Sequence, residues 1–314
     1  MDFVGKDVVS IKDFSEKEIE HILDCADKMA PLADGKSKNT SLEGKVLASL
    51  FYEPSTRTRL SFESAMLRLG GATMGFAEPT GSSHVKGETI ADTIRMAASY
   101  ADVIVLRHPN EGAAKLASQF SSKPVINAGD GAGQHPTQTL LDLYTIRNAK
   151  GKLKDLNIVL LGDLKYGRTV HSLSYALAMF GASLTFIAPN SIQMPQEIVN
   201  HLTEMGSEPA LSDSILDNIS DADVLYVTRI QKERFPDEEE YRKVAGLYRV
   251  DNNLLKNAKD NLIVMHPLPR VDEIAPEVDD TPHALYFKQA FNGVLVRMAL
   301  LSLLLDPDFD GGVK

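Results

Sequence analysis

The sequence predicts an α/β protein made of two doubly wound parallel-sheet domains joined by helices. Short apolar runs of strand length alternate with segments of helical periodicity along the chain. The runs are continuously apolar, which is typical of parallel strands covered on both faces. The length of 314 residues favours two domains, since about 150 residues is an ordinary domain size.

Taken in order, the elements begin with a helix from about Ser15 to near Pro31. Ser15-Glu16-Lys17-Glu18 is a capping-box pattern, and apolar residues at helical spacing follow it. The strand-length runs are Val46–Phe51, Val103–Leu106, Val125–Ile126, Ile158–Leu161, Leu184–Ile187, Val224–Val227 and Leu262–Met265. A helix from His135 to about Lys150 is predicted to join the two groups of strands. The last predicted helix, Leu285 to Leu305, contains too many polar residues to span a membrane.

Composition and charge exclude several classes of function. The chain is 43% hydrophobic and 24% charged, with a net charge of −10, so neither nucleic-acid nor membrane binding is expected. The single cysteine, Cys25, is predicted to be a small buried residue, and it fits a reducing cytoplasm. If the ligands are anions, arginines must be concentrated at the binding site, because the net negative charge of the protein would otherwise repel them.

Three motifs follow strands of the first group, where ligands of parallel sheets bind. After the first strand, Ser55 and Thr56 begin a helix beside Arg57, a pattern that predicts an anion site. Arg107 ends the second strand. His135 and Gln138 lie three apart at a helix start, so both can donate hydrogen bonds to a developing oxyanion. The alternatives are a plain helix cap, a surface ion pair and a capping histidine.

Three more motifs follow strands of the second group. Arg168 begins a helix in a loop that has neither a dinucleotide-binding nor a P-loop glycine pattern, and it suits a carboxylate. Arg229 follows the Val224–Val227 strand. Two prolines in His266-Pro267-Leu268-Pro269 fix backbone carbonyls, unless the segment is merely a rigid turn. The polar segments 78–87 and 231–240 are predicted to be mobile loops, either functional lids or solvated surface.

Together these residues describe a site for two anionic ligands, one phosphate-like and one bearing carboxylates. The sequence contains no Cys/His metal cluster, no carboxylate pair of the glycosidase type and no nucleophile elbow. We therefore expect neither a metal nor a cofactor.

The motifs resemble the signatures of the aspartate/ornithine carbamoyltransferase family over essentially the whole chain. The resemblance rests on Ser55-Thr56-Arg57-Thr58-Arg59, His135-Pro136-Thr137-Gln138 and His266-Pro267-Leu268-Pro269. Lys86-Gly87-Glu88-Thr89, Asp163–Ser172 and Arg229–Arg234 are similar to the aspartate branch, while the ornithine branch has His-Cys-Leu-Pro at 266–269. The resemblance implies transfer of the carbamoyl group of carbamoyl phosphate to L-aspartate, an early step of pyrimidine biosynthesis.

The resemblance also implies a domain organisation and an assembly. Residues 1–134 with 288–314 would bind carbamoyl phosphate, and residues 135–287 would bind aspartate. The last helix would return to the first domain. Three copies would form a homotrimer with active sites at the subunit interfaces. Separate regulatory chains would be possible partners, which the sequence leaves open.

The family's site residues carry over by position. Arg57, Thr58, Arg107 and His135 would be catalytic. The phosphate would be held by Ser55, Thr56, Arg57 and Thr58, and the carbamoyl oxygen by Thr58, Arg107 and His135. The carbamoyl amine would be held by Gln138 and the carbonyls of Leu268 and Pro269, and the aspartate by Arg168, Arg229 and Gln231. An adjacent subunit would contribute Ser82 and Lys86, and Lys86 would reach the aspartate.

Three other functions are alternatives to this one. A carbamoyltransferase for ornithine or another amine would need an acidic or soft group in place of Arg229. A non-catalytic regulator on the same fold would be expected to lack His135 or an arginine. A nicotinamide-dependent dehydrogenase would carry the missing glycine motif.

Overall fold

The structure of the protein is a computed structural model, which describes residues 2–35, 37–81, 83–230, 235 and 237–309. Over these residues the strands are β1 (Val46–Phe51), β2 (Ala72–Phe76), β3 (Val103–His108), β4 (Val125–Asp130), β5 (Asn157–Leu161), β6 (Ser183–Ile187), β7 (Ala210–Ser212), β8 (Val224–Val227) and β9 (Ile263–Met265). The helices are α1 (Glu16–Lys28), α2 (Ala30–Ala33), α3 (Thr56–Arg68), α4 (Ile90–Tyr100), α5 (Ala113–Phe120), α6 (Pro136–Lys150), α7 (Arg168–Met179), α8 (Gln196–Glu204), α9 (Glu238–Val244), α10 (Asn252–Leu255) and α11 (Tyr286–Leu305).

The first of two compact units comprises residues 1–144 and 291–314. Its four-stranded sheet has the order β2-β1-β3-β4, and every pairing is parallel. On one face, Ile94 of α4 and Ala117 of α5 pack against Ala48 of β1 and Ile104 of β3. The parallel pairing brings the carboxyl ends of β1, β3 and β4 to one edge of the sheet, where their loops carry the predicted motifs.

The second unit comprises residues 145–290. Its five-stranded parallel sheet has the order β7-β6-β5-β8-β9. The core includes Leu161, Val227 and Val264 from the three strands β5, β8 and β9, together with Leu255 and Tyr286. The predicted α/β class with parallel sheets is therefore confirmed in both units.

Helix α1 begins where its capping box predicted. The Ser15 side chain accepts a hydrogen bond from the backbone N–H of Glu18 at 3.3 Å, and Glu18 accepts one from the backbone N–H of Ser15 at 2.8 Å. The helix buries Ile22 and Cys25 on its inner face. It ends at Lys28, and Pro31 belongs to the separate helix α2, since proline is tolerated in a first helical turn.

Helices α6 and α11 each run from one unit into the other. The divisions fall at 144/145 and 290/291, whereas the sequence placed them at 134/135 and 287/288. The first turns of α6 belong to the first unit because Arg297 of α11 donates a hydrogen bond to Thr137 at 3.4 Å and Leu141 packs beside Gly293. The last helix thus returns to the first unit, as predicted. It is long and apolar enough to cross a membrane, but 78% of that stretch is buried inside the protein.

Strands β2 and β7 were missed by the sequence analysis. Both lie at sheet edges, and β2 is largely exposed, so neither has the apolar run of a covered strand. Gly75 in β2 has φ 144°, and a Cβ there would lie 1.9 Å from the carbonyl oxygen of Ser49. Glycine is needed for this close approach to β1.

Candidate active site

The N-terminus of α3 follows β1 directly and forms the first part of the candidate site. Ser55 is the N-cap with an extended backbone, but its side chain makes no capping hydrogen bond. The hydroxyl therefore does not occupy the backbone N–H groups of the first turn, which carry the positive end of the helix dipole. Thr58 is buried one turn into the helix. This arrangement can bind an anion through backbone N–H groups and hydroxyls.

Two arginines of α3 have different surroundings. Arg59 pairs with Glu63 at 3.1 Å. Among the described residues, Arg57 has no ion-pair or hydrogen-bond partner, and partial burial lowers its pKa. A partly desolvated guanidinium without a protein anion beside it is suited to an anionic ligand.

Arg107, at the end of β3, is held from two sides. The parallel register places it beside Phe51 of β1. One guanidinium nitrogen lies 3.1 Å from Glu53, and another donates to the carbonyl of Ala128 at 3.2 Å. The side chain is only 12% exposed. Glu53 is therefore a positioning partner that sequence reasoning missed, although it lies shortly before the Ser55–Arg59 motif.

The loop after β4 leads to His135 and is organised by Asp130. One carboxylate oxygen of Asp130 accepts hydrogen bonds from the Asn127 side chain at 3.0 Å and the Gln134 backbone at 2.8 Å. The other accepts from the Gly112 backbone at 2.8 Å. Asp130 is buried, and so is His135 immediately before α6. The loop conformation, and hence the place of His135, depends on this carboxylate.

Gln138 lies one turn into α6 and is also buried. Its amide NH₂ donates to Asp142 at 2.9 Å. Asp142 is completely buried one turn further along the same helix. The amide is therefore oriented by a carboxylate that the sequence analysis did not identify.

In the second unit, a tight turn after β5 leads to Arg168. Gly162 has φ +118°, and a Cβ there would lie 2.3 Å from the carbonyl oxygen of Thr228, so only glycine fits. The Asp163 carboxylate then accepts a hydrogen bond from the backbone of Tyr166 at 2.9 Å. Arg168 begins α7 and is buried.

Arg229 lies on the neighbouring loop of the same sheet. Leu161 of β5 pairs with Val227 of β8, so Arg168 and Arg229 follow the carboxyl ends of adjacent strands. Arg229 is half-buried. Two arginines in this arrangement are suited to a ligand with two carboxylates.

The loop after β9 is held by a buried histidine–glutamate pair. The backbone N–H of Leu268 donates to Nδ1 of His266 at 2.8 Å. The imidazole proton is therefore on Nε2, which lies 2.7 Å from Glu273. The other oxygen of Glu273 accepts from the backbones of Val271 and Asp272 at 3.0 and 3.1 Å.

These hydrogen bonds determine the charge of Glu273 and the shape of the loop. Burial raises the pKa of Glu273, but the hydrogen bonds from His266 and the backbone outweigh it and hold the pKa below its usual value. Leu268 has φ 56°, and the Leu268–Pro269 peptide is cis. The hydrogen bond to His266 supports the left-handed backbone of Leu268, which a non-glycine residue rarely adopts. The histidine and glutamate, in addition to the prolines, thus direct the predicted carbonyls.

The predicted residues divide between the units. The first unit contains Ser55, Thr56, Arg57, Thr58, Arg107, His135 and Gln138; the second contains Arg168, Arg229, Leu268 and Pro269. Lys86 is exposed at the end of a short 3-10 helix, Ser83–Lys86. Ser82 and Gln231 lie outside the described residues. The ligand roles of all these residues stay predictions.

One prediction about the polar segments is wrong in part. From Glu238 onward, the second polar segment is helical, as part of α9, and was wrongly predicted as loop throughout. Over the part of the chain that the structure describes, no group of three or more His, Cys, Asp or Glu side chains could hold a metal ion.

Two family models match most of the chain. The model described as aspartate/ornithine carbamoyltransferase, carbamoyl-P binding domain, matches residues 6–148. The model described as aspartate/ornithine carbamoyltransferase, Asp/Orn binding domain, matches residues 154–304.

Individual proteins are similar over nearly their full length. The aspartate carbamoyltransferase catalytic subunit of Methanocella arvoryzae is 59% identical over 98% of this chain and 100% of its own. The catalytic subunit of M. jannaschii aspartate transcarbamoylase is 52% identical, with TM-score 0.89, covering 97% of this chain and 99% of that one. Aspartate transcarbamoylase of Trypanosoma cruzi, solved with carbamoyl aspartate and phosphate, is 40% identical, with TM-score 0.92, covering 96% and 97%.

Proposed function

The chain belongs to the aspartate/ornithine carbamoyltransferase family, and we propose that it transfers the carbamoyl group of carbamoyl phosphate to the amine of L-aspartate. The products are N-carbamoyl-L-aspartate and phosphate, and the reaction is an early step of pyrimidine biosynthesis. Relatives that are named aspartate carbamoyltransferase support this proposal over nearly the whole chain. The Trypanosoma cruzi structure with carbamoyl aspartate and phosphate supports the same products.

The choice of aspartate rests on one observation, the pair of arginines on adjacent strands of the second unit. Arg168 and Arg229 follow β5 and β8, which pair directly. Two cations match the two carboxylates of aspartate. Ornithine would place an ammonium against one of them, and this like-charge contact would disfavour its binding.

In the first unit, the groups around α3 and α6 match carbamoyl phosphate. The first turn of α3 and Arg57 would bind the phosphate. Arg107 and His135 would donate to the carbamoyl oxygen, and Gln138 would accept a hydrogen bond from the carbamoyl amine. Because Arg107 is held by Glu53 and Ala128, and His135 is buried after a loop that Asp130 organises, little reorganisation is needed when charge develops on that oxygen.

The chemistry then requires no protein nucleophile. The neutral amine of aspartate attacks the carbamoyl carbon, and a tetrahedral intermediate with a negative oxygen forms. Each preorganised donor to such an oxygen contributes about 3 kcal/mol. The carbon–oxygen bond to phosphate then breaks, and the departing phosphate takes the proton from the attacking amine. The phosphate thus acts as both leaving group and base.

The proposal extends to a homotrimer in which Ser82 and Lys86 act in a neighbouring subunit's site. The edge strand β2 is largely exposed and presents Met74, and α3 presents Leu67. An exposed sheet edge with apolar residues is a surface on which another chain can pack. The loop that carries Lys86 follows β2 directly, so a subunit that covered this edge would approach Lys86. A cytoplasmic location completes the proposal, and it is supported by the single buried cysteine, Cys25. Separate regulatory chains stay possible partners.

A three-arm assay tests the reaction. Purified protein receives carbamoyl phosphate with aspartate, with ornithine or with no amine, and phosphate and the carbamoylated product are measured. We expect the carbamoylated product only in the assay that contains both carbamoyl phosphate and aspartate. Product with ornithine alone would identify a different carbamoyltransferase, and binding of carbamoyl phosphate without any product would identify a non-catalytic protein.

The Arg229→Ala variant tests the aspartate assignment. Losing one charged hydrogen-bonding partner should raise KM for aspartate on the order of 100-fold, with little change in the affinity for carbamoyl phosphate. An Arg242→Ala variant is the control, because Arg242 is an exposed arginine that pairs with Glu238 on α9. Equal effects of both variants on KM would contradict the assignment.

A further inference from the structure

Gln138 belongs to a buried polar cluster in the first unit. The cluster consists of Gln138 and Asp142 of α6 and Arg297 of α11. The amide NH₂ of Gln138 donates to Asp142 at 2.9 Å. Arg297 donates to Thr137, the residue before Gln138, at 3.4 Å. Exposure of these side chains is 8% for Gln138, 0% for Asp142 and 3% for Arg297.

Stability alone does not explain the burial of Arg297. Its guanidinium lies 4.8 Å from the centre of the Phe62 ring, and its Nε has no hydrogen-bond partner among the described residues. Burial lowers the pKa of Arg297 to about 9, while the charge of Asp142 opposes that shift. Buried ion pairs are often no more stable than apolar residues of similar volume. The pair therefore calls for a functional reason.

The neighbouring backbone leaves room for the guanidinium. Gly293 lies one turn before Arg297 on α11, and a Cβ there would lie 2.3 Å from Nη1 of Arg297 and 3.1 Å from Leu141. With any larger residue at this position, the guanidinium would have to move. The position of Arg297 beside Asp142 thus depends on a glycine in the same helix.

The chemical consequence is a fixed orientation of the Gln138 amide. A carboxylate only accepts hydrogen bonds, so Asp142 can face the NH₂ of Gln138 but not its carbonyl oxygen. The carbonyl oxygen is then left to a ligand. It accepts a hydrogen bond from an N–H group, and it offers nothing to a methyl group.

We propose that Asp142 and Arg297 are positioning residues that fix the Gln138 amide, so that the site selects an acyl phosphate with an amine on its carbonyl carbon. This inference deepens the proposed function and rests on it. It assigns the choice of carbamoyl over acetyl donors to a carboxylate and an arginine that do not touch the ligand.

Ligand binding without aspartate tests the inference separately from turnover. Affinities for carbamoyl phosphate and acetyl phosphate, in which a methyl replaces the amine, are measured for the native protein and for Asp142→Asn. Asparagine retains the shape of Asp142, but it can face either end of the Gln138 amide. We expect the native preference for carbamoyl phosphate to fall about tenfold, the value of one hydrogen bond, while acetyl phosphate binding changes little.

A double-mutant cycle separates positioning from general damage. In a Gln138→Ala background, Asp142→Asn should cause no further loss of the preference. Ser302→Ala is the packing control, since Ser302 is buried on α11 and its hydroxyl has no hydrogen-bond partner among the described residues; it should keep the native preference. If Asp142→Asn does not fold, Arg297→Lys replaces it, with a smaller loss expected in the same direction.

Two outcomes would overturn the inference. One is an equal loss of affinity for both ligands, and the other is an unchanged preference in the folded variants. If the native protein bound neither ligand, the proposed function would fail instead. A native protein that carbamoylates aspartate but binds both ligands equally would retain the proposed function and lose the inference.

Discussion

At the scale of single residues, the partner of an arginine determines what the arginine can do. Arg57 and Arg59 are two positions apart on α3. Arg59 forms an ion pair with Glu63 at 3.1 Å, whereas partial burial lowers the pKa of Arg57 and no carboxylate of the described residues opposes that shift. The same residue type is thus structural at one position and available to a ligand at the other.

The Arg57→Ala variant should lose activity but keep its fold and assembly. Removing a phosphate-binding cation should lower kcat/KM for carbamoyl phosphate about 1000-fold. Arg59→Ala is the matched control, since a partly exposed ion pair between residues four apart on a helix is worth only about 0.5 kcal/mol. Steady-state kinetics and solution mass measure the two effects. Near-normal activity of Arg57→Ala would remove the phosphate assignment.

Some residues of the candidate site can be predicted from the sequence, and others cannot. Arg107, Arg168 and Arg229 could be found because each follows an apolar run, and strand ends meet at one edge of a parallel sheet. The carboxylates that position the site, such as Asp142 and Glu273, could not be found in this way. Their roles depend on partners that the fold brings together, and a single buried carboxylate has no sequence pattern of its own.

At the scale of elements, the loop after β9 shows how a short segment is held by buried polar groups. Prolines at 267 and 269 predict a rigid turn, but the loop also depends on His266 and Glu273. Together these side chains bind the backbone N–H groups of Leu268, Val271 and Asp272. The direction of the loop carbonyls therefore depends on the charge of one glutamate.

A Glu273→Gln variant should destabilise this loop in a pH-dependent way. The pKa of Glu273 is below its usual value of 4.5, so its contribution is full above that pH and is lost as the pH falls through the lowered pKa. At pH 7 the free energy of unfolding of the variant should be about 1–3 kcal/mol lower than that of the native protein, because a glutamine NH₂ would face a hydrogen-bond donor. This difference in the free energy of unfolding between the variant and the native protein should become smaller at acidic pH.

Thermal unfolding at pH 7 and in acid measures this difference. Glu277→Gln is the control, since Glu277 accepts a backbone hydrogen bond from Asn252 at 3.1 Å at an exposed position, and glutamine can still accept it. A Glu273→Gln midpoint that fell equally at both pH values would show that the charge of Glu273 does not stabilise the loop.

The elements themselves were predictable in proportion to their burial. The covered strands, such as β1 and β8, have continuous apolar runs, and their predicted bounds are confirmed. The edge strand β2 has an exposed surface and a glycine required by its contact with β1, so its sequence resembles a loop. Edge strands carry little pattern because only part of their surface is buried.

At the scale of the whole molecule, the charge distribution and the exposed edge of the first unit are related to function. The net charge is −10, so anionic substrates are attracted only where arginines are concentrated. These arginines follow the carboxyl ends of the strands in each unit. The loop that carries Lys86 instead follows the exposed edge strand β2, which supports the proposal that Lys86 acts in a neighbouring copy.

Subunit mixing tests that assignment. Lys86→Ala and Arg57→Ala should each be nearly inactive. If Lys86 acts in a neighbour's site, co-assembled trimers contain some sites in which both residues are native, about a quarter in an equal random mixture. Activity should therefore return when the two variants are unfolded and reassembled together. Arg57→Ala mixed with His135→Ala is the matched control, because both residues belong to the same unit of one chain, and no site in the mixture would regain both. Failure of the first mixture to exceed the control would place Lys86 in the site of its own subunit.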